Sequence, residues 1–429
     1  LSNKPEIREI APGVRLCSVQ TDRFKTGAVS FSMALPLEGD MAANAALPFI
    51  LHRSCRRYPE FSALNGRLDE LYGASLSAGV AKIGESQALT ISLTAIDDRF
   101  SLAGESVAQN CADLLADLLF DPDLPESVFH EKAVEREKRL LIEKMKSERK
   151  DKRVYALQRC EELMCAGEKY ALNKYSTRED IESLTGERLY TAWRRALETS
   201  LIQAVSVSSG TSAGIAETFG KAFSEIRRSP VRPATAFIKS AKETRKAEEK
   251  LPVKQGKLVL GFRAGMDNPL DGTAAARVMT DIYGGGTYSK LFMKVREELS
   301  LCYYCSARLN NHKGLLMVQS GIESEKAAEA EAEILRQLDA VKKGDILANE
   351  FDASLMSICD HRLSIEDSPA ELNSWYTAQI FREDIMTPME DAADIRAVTL
   401  DEVVSRAEKV TLDTVYLLSG NGEAHEDED

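Results

Sequence analysis

Apolar positions recur along this chain with two periods, and the switches between them mark its elements. Leu89, Ile91 and Leu93 alternate with Thr90, Ser92 and Thr94, which is the period of a half-buried strand. Leu64, Leu68 and Leu71 instead fall on one helical stripe over 61–72, and Gly73 stands where a helix stops. Extending this reading predicts strands at 14–20 and 26–36, a helix at 40–58, and a hairpin at 74–82 and 86–95. Helices are expected at about 100–119, 126–150, 152–166 and 176–197, before a strand at 202–208.

The second half repeats the first. A strand at 257–264 leads to helices at about 270–282 and 287–299, then a hairpin at 301–310 and 314–322. Helices follow at about 325–341, 346–363 and 367–380, with a last strand at 414–419. Strand, two helices, hairpin, helices, strand thus occurs twice, the mark of a duplicated α+β unit of about 200 residues. The expected organisation is an N-terminal half at 1–226, a linker at 227–256 rich in Lys, Arg and Pro, a C-terminal half at 257–422, and an acidic tail at 423–429.

One stretch concentrates chemistry. Gly284, Gly285 and Gly286 precede a helix whose apolar face carries Leu291, Phe292, Val295 and Leu299. Arg296 lies on its last turns, and Tyr303 opens the next strand. A guanidinium and a phenol seven residues apart across such a turn suit hydrogen bonding to a carbonyl or a developing oxyanion.

Gly-Gly-Gly-x-x-Ser-Lys-Leu-Phe-x-x-Val-Arg-Glu-x-x-x-Leu-x-Tyr resembles the C-terminal-half signature of the pitrilysin/insulinase-type (M16) metallopeptidases. The resemblance implies two homologous LuxS/MPP-like halves, each an antiparallel-rich mixed sheet covered by helices, and extends over nearly the whole chain. It also implies that Arg296 and Tyr303 act on a substrate backbone at a zinc held elsewhere, with Gly284–Gly286 lining the substrate site. The paired, zinc-less M16 proteins of Firmicute-type bacteria are similar to this chain; some are associated with modification of translation elongation factor P.

Active members of that family carry His-x-x-Glu-His on the first long helix of the N-terminal half, two His one turn apart for zinc and a Glu as general base. Aligned on Tyr58-Pro59, this chain has Ala45, Pro48 and Phe49 in their places. None can ligate a metal or take a proton. Glu135 or Glu137 would correspond to the third family ligand, and the five His (52, 130, 312, 361, 425) form no pair at ligand spacing. The chain is therefore expected to bind no cofactor. The resemblance implies a non-catalytic subunit whose zinc comes from a zinc-bearing M16 paralogue, acting on a peptide or unfolded polypeptide. The alternative is a catalytically dead scaffold or peptide-binding protein, possibly homodimeric.

Composition narrows the picture further. Of 429 residues, 44% are hydrophobic and 29% charged, which fits neither disorder nor a membrane span. A net charge of −13 gives no basic footprint for nucleic acid. No signal peptide is visible in LSNKPEIREI, and eight scattered cysteines read as reduced thiols of a cytoplasmic protein. Cys302-Tyr-Tyr-Cys305 matches C-x-x-C, but in a regular strand residues three apart point to opposite faces. Gly284–Gly286 lacks the Lys-Ser/Thr ending of a phosphate-binding loop.

Overall fold

The computed structural model describes residues 4–420; the tail read at 423–429, with His425, lies outside them. In chain order the N-terminal half contains β1 (Glu6–Ala11), β2 (Val14–Gln20), β3 (Thr26–Pro36), α1 (Met41–Leu51), α2 (Phe61–Glu70), β4 (Ser75–Ile83) and β5 (Ser86–Ile96). It continues with α3 (Val107–Phe120), α4 (Glu131–Lys150), α5 (Lys152–Met164), α6 (Arg178–Glu182), α7 (Gly186–Thr199), β6 (Leu201–Ser208) and α8 (Ala213–Phe223). The rest comprises β7 (Arg245–Leu251), β8 (Gly256–Arg263), α9 (Thr273–Gly284), a π-helix (Leu291–Glu298), β9 (Cys302–Asn310) and β10 (Leu315–Ile322). It closes with α10 (Ala327–Lys342), α11 (Ala348–Ser364), α12 (Pro369–Thr377), α13 (Pro388–Arg396), α14 (Leu400–Glu408) and β11 (Thr411–Gly420).

Two mixed sheets result. The first has order β1-β2-β6-β3-β5-β4, and its one parallel pair is β2–β6. The second has order β7-β11-β8-β10-β9, with β7–β11 parallel. Both are antiparallel-rich and covered by helices, as the α+β reading expects.

The compact units are not contiguous halves of the sequence. The first takes residues 1–145, 173–234 and 363–389; the second takes 146–172, 235–362 and 390–429. Each sheet therefore carries its own half's helices on one face and a helix from the other half of the sequence on the opposite face. In the first unit, Leu16, Phe31 and Met33 meet Leu47, Leu115 and Phe219, while Cys17, Val19, Val205 and Val207 meet Leu372 and Tyr376 of α12. In the second, Leu258 and Leu260 face the main core, while Val259, Met317 and Tyr416 face Cys160 and Met164 of α5. Burial on both faces makes these central strands nearly continuous apolar runs.

Several elements depart from the periodicity reading for local reasons. The helix expected over 40–58 stops at Leu51. The 176–197 helix is broken in two, because Thr185 caps a fresh start by accepting the Arg188 amide. Ser106 likewise delays α3 by accepting the Gln109 amide. β1, α8, α13 and α14 lie outside the elements expected from the sequence. β7, Arg-Lys-Ala-Glu-Glu-Lys-Leu, lies inside the stretch read as linker. Its charges suit an edge strand.

Candidate functional site

Arg296 sits on the π-helix, not on an α-helix. Its widened turn is visible in the Leu299 amide bonding to Lys294 O at 3.1 Å. Leu291 and Val295 are fully buried, whereas Leu299, expected on the same stripe, ends the helix 45% exposed. Ser300 then takes a left-handed φ of 50°, and the Leu301 amide reaches back to Val295 O at 2.9 Å. This closes the turn into β9. Such π segments occur frequently at functional sites.

β9 is the edge of its sheet and starts with a bulge. Cys302 pairs with Ile322 and Tyr304 with Gly321, so Tyr303 is the extra residue. Turned out of the ladder, Tyr303 is 60% exposed. Arg296 is also largely exposed; its guanidinium lies over Phe292 at 4.7 Å and 3.6 Å from Glu297. It is close enough to Cys302 to act on that thiol electrostatically.

The bulge also corrects the parity expected for Cys302 and Cys305. One extra residue shifts the alternation, and both sulfurs enter the same core cluster.

The three glycines allow close approach. A Cβ on Gly284 would sit 2.7 Å from Ala307 N, one on Gly285 2.2 Å from Asp281 Oδ2, and one on Gly286 2.6 Å from the Tyr288 ring. Tyr288 donates to Asp281 Oδ1 at 2.5 Å across this turn. Burial, then this bond, pushes the Tyr288 phenol up to about 12. The Lys of the signature has a role that periodicity did not reveal. Lys290 is buried and ion-paired with Glu350 of α11 at 3.0 Å, which fixes the start of the π-helix. A lysine immediately before an apolar pair was the available signal; its partner sixty residues on was not.

In the other unit, α1 carries Ala45, Pro48 and Phe49, the positions that alignment on Tyr58-Pro59 sets against the family's zinc ligands. Ala45 is fully buried, Pro48 is buried inside the helix, and Phe49 is half-buried beneath Lys144, whose Nζ stands 4.6 Å from the ring centre. Nearby His52 bonds through Nδ1 to Pro48 O at 3.1 Å; burial, then Arg53, lowers its pKa to about 4. Of the two glutamates considered, Glu135 is exposed and paired with Lys138, while Glu137 is buried. Arg53 Nε stands 3.1 Å from Glu137 Oε1, and Arg136 Nε donates to the same oxygen at 2.9 Å. A methyl, a pyrrolidine and a phenyl give a divalent metal nothing to bind, and the one buried carboxylate is already neutralised by guanidinium groups. These residues do not fit zinc. Among the described residues no three His, Cys, Asp or Glu are grouped to hold a metal elsewhere.

Two antiparallel-rich sheets covered by helices, together with this signature segment, fit a metallopeptidase-type fold. The chain belongs to the M16 peptidase family, as an inactive member. The family model described as "Peptidase M16 inactive domain" matches residues 183–358. Over 417 residues the chain is 30% identical to the "Probable inactive metalloprotease YmfF" of Bacillus subtilis (strain 168), spanning 97% of this chain and 98% of that protein. In fold it is similar to a conserved protein from Enterococcus faecalis V583, with a TM-score of 0.87 at 23% identity over 99% and 100% of the two chains. The peptidase M16 inactive domain from Pseudomonas fluorescens superposes with a TM-score of 0.78 at 14% identity over 98% and 99%. No helix among the described residues is long and apolar enough to cross a membrane.

Proposed function

We propose that this chain is the non-catalytic subunit of a heterodimeric zinc peptidase, supplying Arg296 and Tyr303 to a zinc-bearing M16 partner. The observation that carries the reading is an asymmetry. Arg296 and Tyr303 are held exposed by a π-helix and a bulge, while positions 45, 48 and 49 offer no ligand. Arg296 donates to a peptide carbonyl near the scissile bond, and the Tyr303 hydroxyl donates to the oxyanion as it forms. Metal and general base belong to the partner. The substrate is a peptide or unfolded polypeptide, which can add a strand to an exposed edge such as β4 or β9. Eight free, buried cysteines support a reducing, cytoplasmic setting.

The test is reconstitution with the zinc-bearing paralogue, followed by Arg296→Ala and Tyr303→Phe. Each is expected to lower kcat by on the order of 10²-fold, about 3 kcal/mol, with the pair's zinc content unchanged. A second reading, a catalytically dead scaffold, is favoured by the engagement of Arg296 with Phe292 and Glu297 of its own helix. Activity untouched by both substitutions would establish the scaffold and end the catalytic role.

A further inference from the structure

The bulge at Tyr303 brings together two thiols that a regular strand would separate. Cys302 and Cys305 are 9% and 5% exposed, lie in one core cluster, and share a face of β9, since their partners Ile322 and Ser320 stand two residues apart on β10. Ser320, opposite Cys305 in the register, adds a buried hydroxyl. Arg296 acts on Cys302 from the preceding π-helix. Its neighbour Cys305 and, against burial, the Arg296 charge hold the Cys302 thiol below its usual range. The thiols of Cys17, Cys111 and Cys165 are pushed up to about 12 by burial. A thiol held below its usual range next to a second thiol, on the edge strand of a sheet, is an arrangement that peroxides can oxidise.

We propose that Cys302 and Cys305 form a redox-responsive dithiol, oxidised by hydroperoxides to an intramolecular disulfide, and that closing the disulfide displaces Tyr303. The Cys302 thiolate attacks a peroxide oxygen and breaks the O–O bond. The sulfur becomes a sulfenic acid, and the departing hydroxide is protonated to water. Cys305 sulfur then displaces the hydroxyl from Cys302: the S–S bond forms, the S–O bond breaks, and the Cys305 proton leaves in a second water. The dithiol loses two electrons and the peroxide gains two.

The displacement follows from geometry. Residues three apart in an extended strand have Cα atoms about 10 Å apart, and a disulfide tolerates at most about 7 Å. The bulge supplies part of the difference. The remainder has to come from tightening at Tyr303 and Tyr304, at the cost of the first ladder pairs of β9. Any effect on peptide handling rests on the functional reading above; the disulfide and the strand movement do not.

The experiment treats the reduced full-length chain with hydrogen peroxide, blocks remaining thiols by alkylation, and maps peptides by mass. Deuterium exchange is followed over residues 299–306 in the same samples. The expected result is loss of two alkylatable thiols, both in the peptide holding Cys302 and Cys305, reversed by dithiothreitol. Exchange at Cys302 and Tyr304 should rise by about tenfold as the first ladder pairs of β9 open. In Cys305→Ser, Cys302 should instead stop at the sulfenic acid and be trapped by dimedone. The proposal is overturned if both thiols stay alkylatable at peroxide levels that oxidise the same chain in urea. It is equally overturned if another pair closes first, or if the disulfide forms with exchange unchanged. The wild-type measurements stand even where the variant fails to fold.

Discussion

Replacing Glu168 by Gln tests what holds α5 against the second sheet. Glu168 follows α5, and its side chain is 10% exposed. Arg263 Nη2 donates to it at 2.8 Å, and Lys313 Nζ, fully buried, stands 2.7 Å away. Arg263 also donates to Asp413 at 2.8 Å and to Met164 O at 2.7 Å; Lys313 donates to Ala236 O at 2.5 Å. Two buried cations thus face two carboxylates, and the substitution leaves one cation uncompensated. Breaking such a buried pair costs roughly 3–5 kcal/mol. For a unit of this size that corresponds to a fall in Tm of roughly 6–20 °C. Burial alone raises the Glu168 pKa, but hydrogen bonds from Arg263 and Lys313 outweigh it and hold the carboxyl below its ordinary range. The folded pKa is depressed, so this stability is fully present above the unfolded value of about 4.3 and is lost as pH falls through the folded value. The deficit of Glu168→Gln against wild type should therefore be full at pH 7 and shrink towards pH 3. Urea melts of both proteins at several pH values measure it. Glu135→Gln, whose exposed side chain pairs with Lys138, serves as control and should stay within about 0.5 kcal/mol of wild type. A deficit below about 1 kcal/mol at pH 7, or one independent of pH, would refute the reasoning.

Other consequences can be checked in the same assays. Arg53→Met should cost roughly 1–3 kcal/mol because Glu137 keeps only Arg136, and adding Glu137→Leu should recover much of it in a double-mutant cycle. Gly284→Ala should destabilise by roughly 1–3 kcal/mol, since its Cβ would lie 2.7 Å from Ala307 N and 2.9 Å from Leu291 Cδ1. Gly66→Ala, in the middle of α2 with open space around it, should stabilise by about 0.5–1 kcal/mol. Equal effects at both glycines would show that close approach is not what Gly284 provides.

The family likeness was legible because its signs are local. The hairpins announced themselves by period two: Leu89, Ile91 and Leu93 are all buried as expected. That Ala45, Pro48 and Phe49 offer no metal ligand needed only their side-chain identities. Elements with few apolar residues did not show. β7 is recruited to an edge by parallel pairing with β11, a partner about 170 residues away, and no window of local sequence contains that information.

By itself, then, the sequence determined the duplicated α+β order, the placing of Arg296 and Tyr303 around one turn, and the absence of ligands on α1, since periodicity and side-chain chemistry are properties of neighbouring residues. Tertiary structure alone decided which segment covers which sheet, because the apolar faces of α5 and α12 match any apolar sheet face until the whole chain is packed. It also decided the fate of Glu137, which becomes a neutralised buried carboxylate only when α4 brings it to Arg53. The extra residue at Tyr303 is fixed by the register of β9 on β10, and that register is set by which side chains the core accepts. One residue of slip turns two cysteines from opposite faces into neighbours.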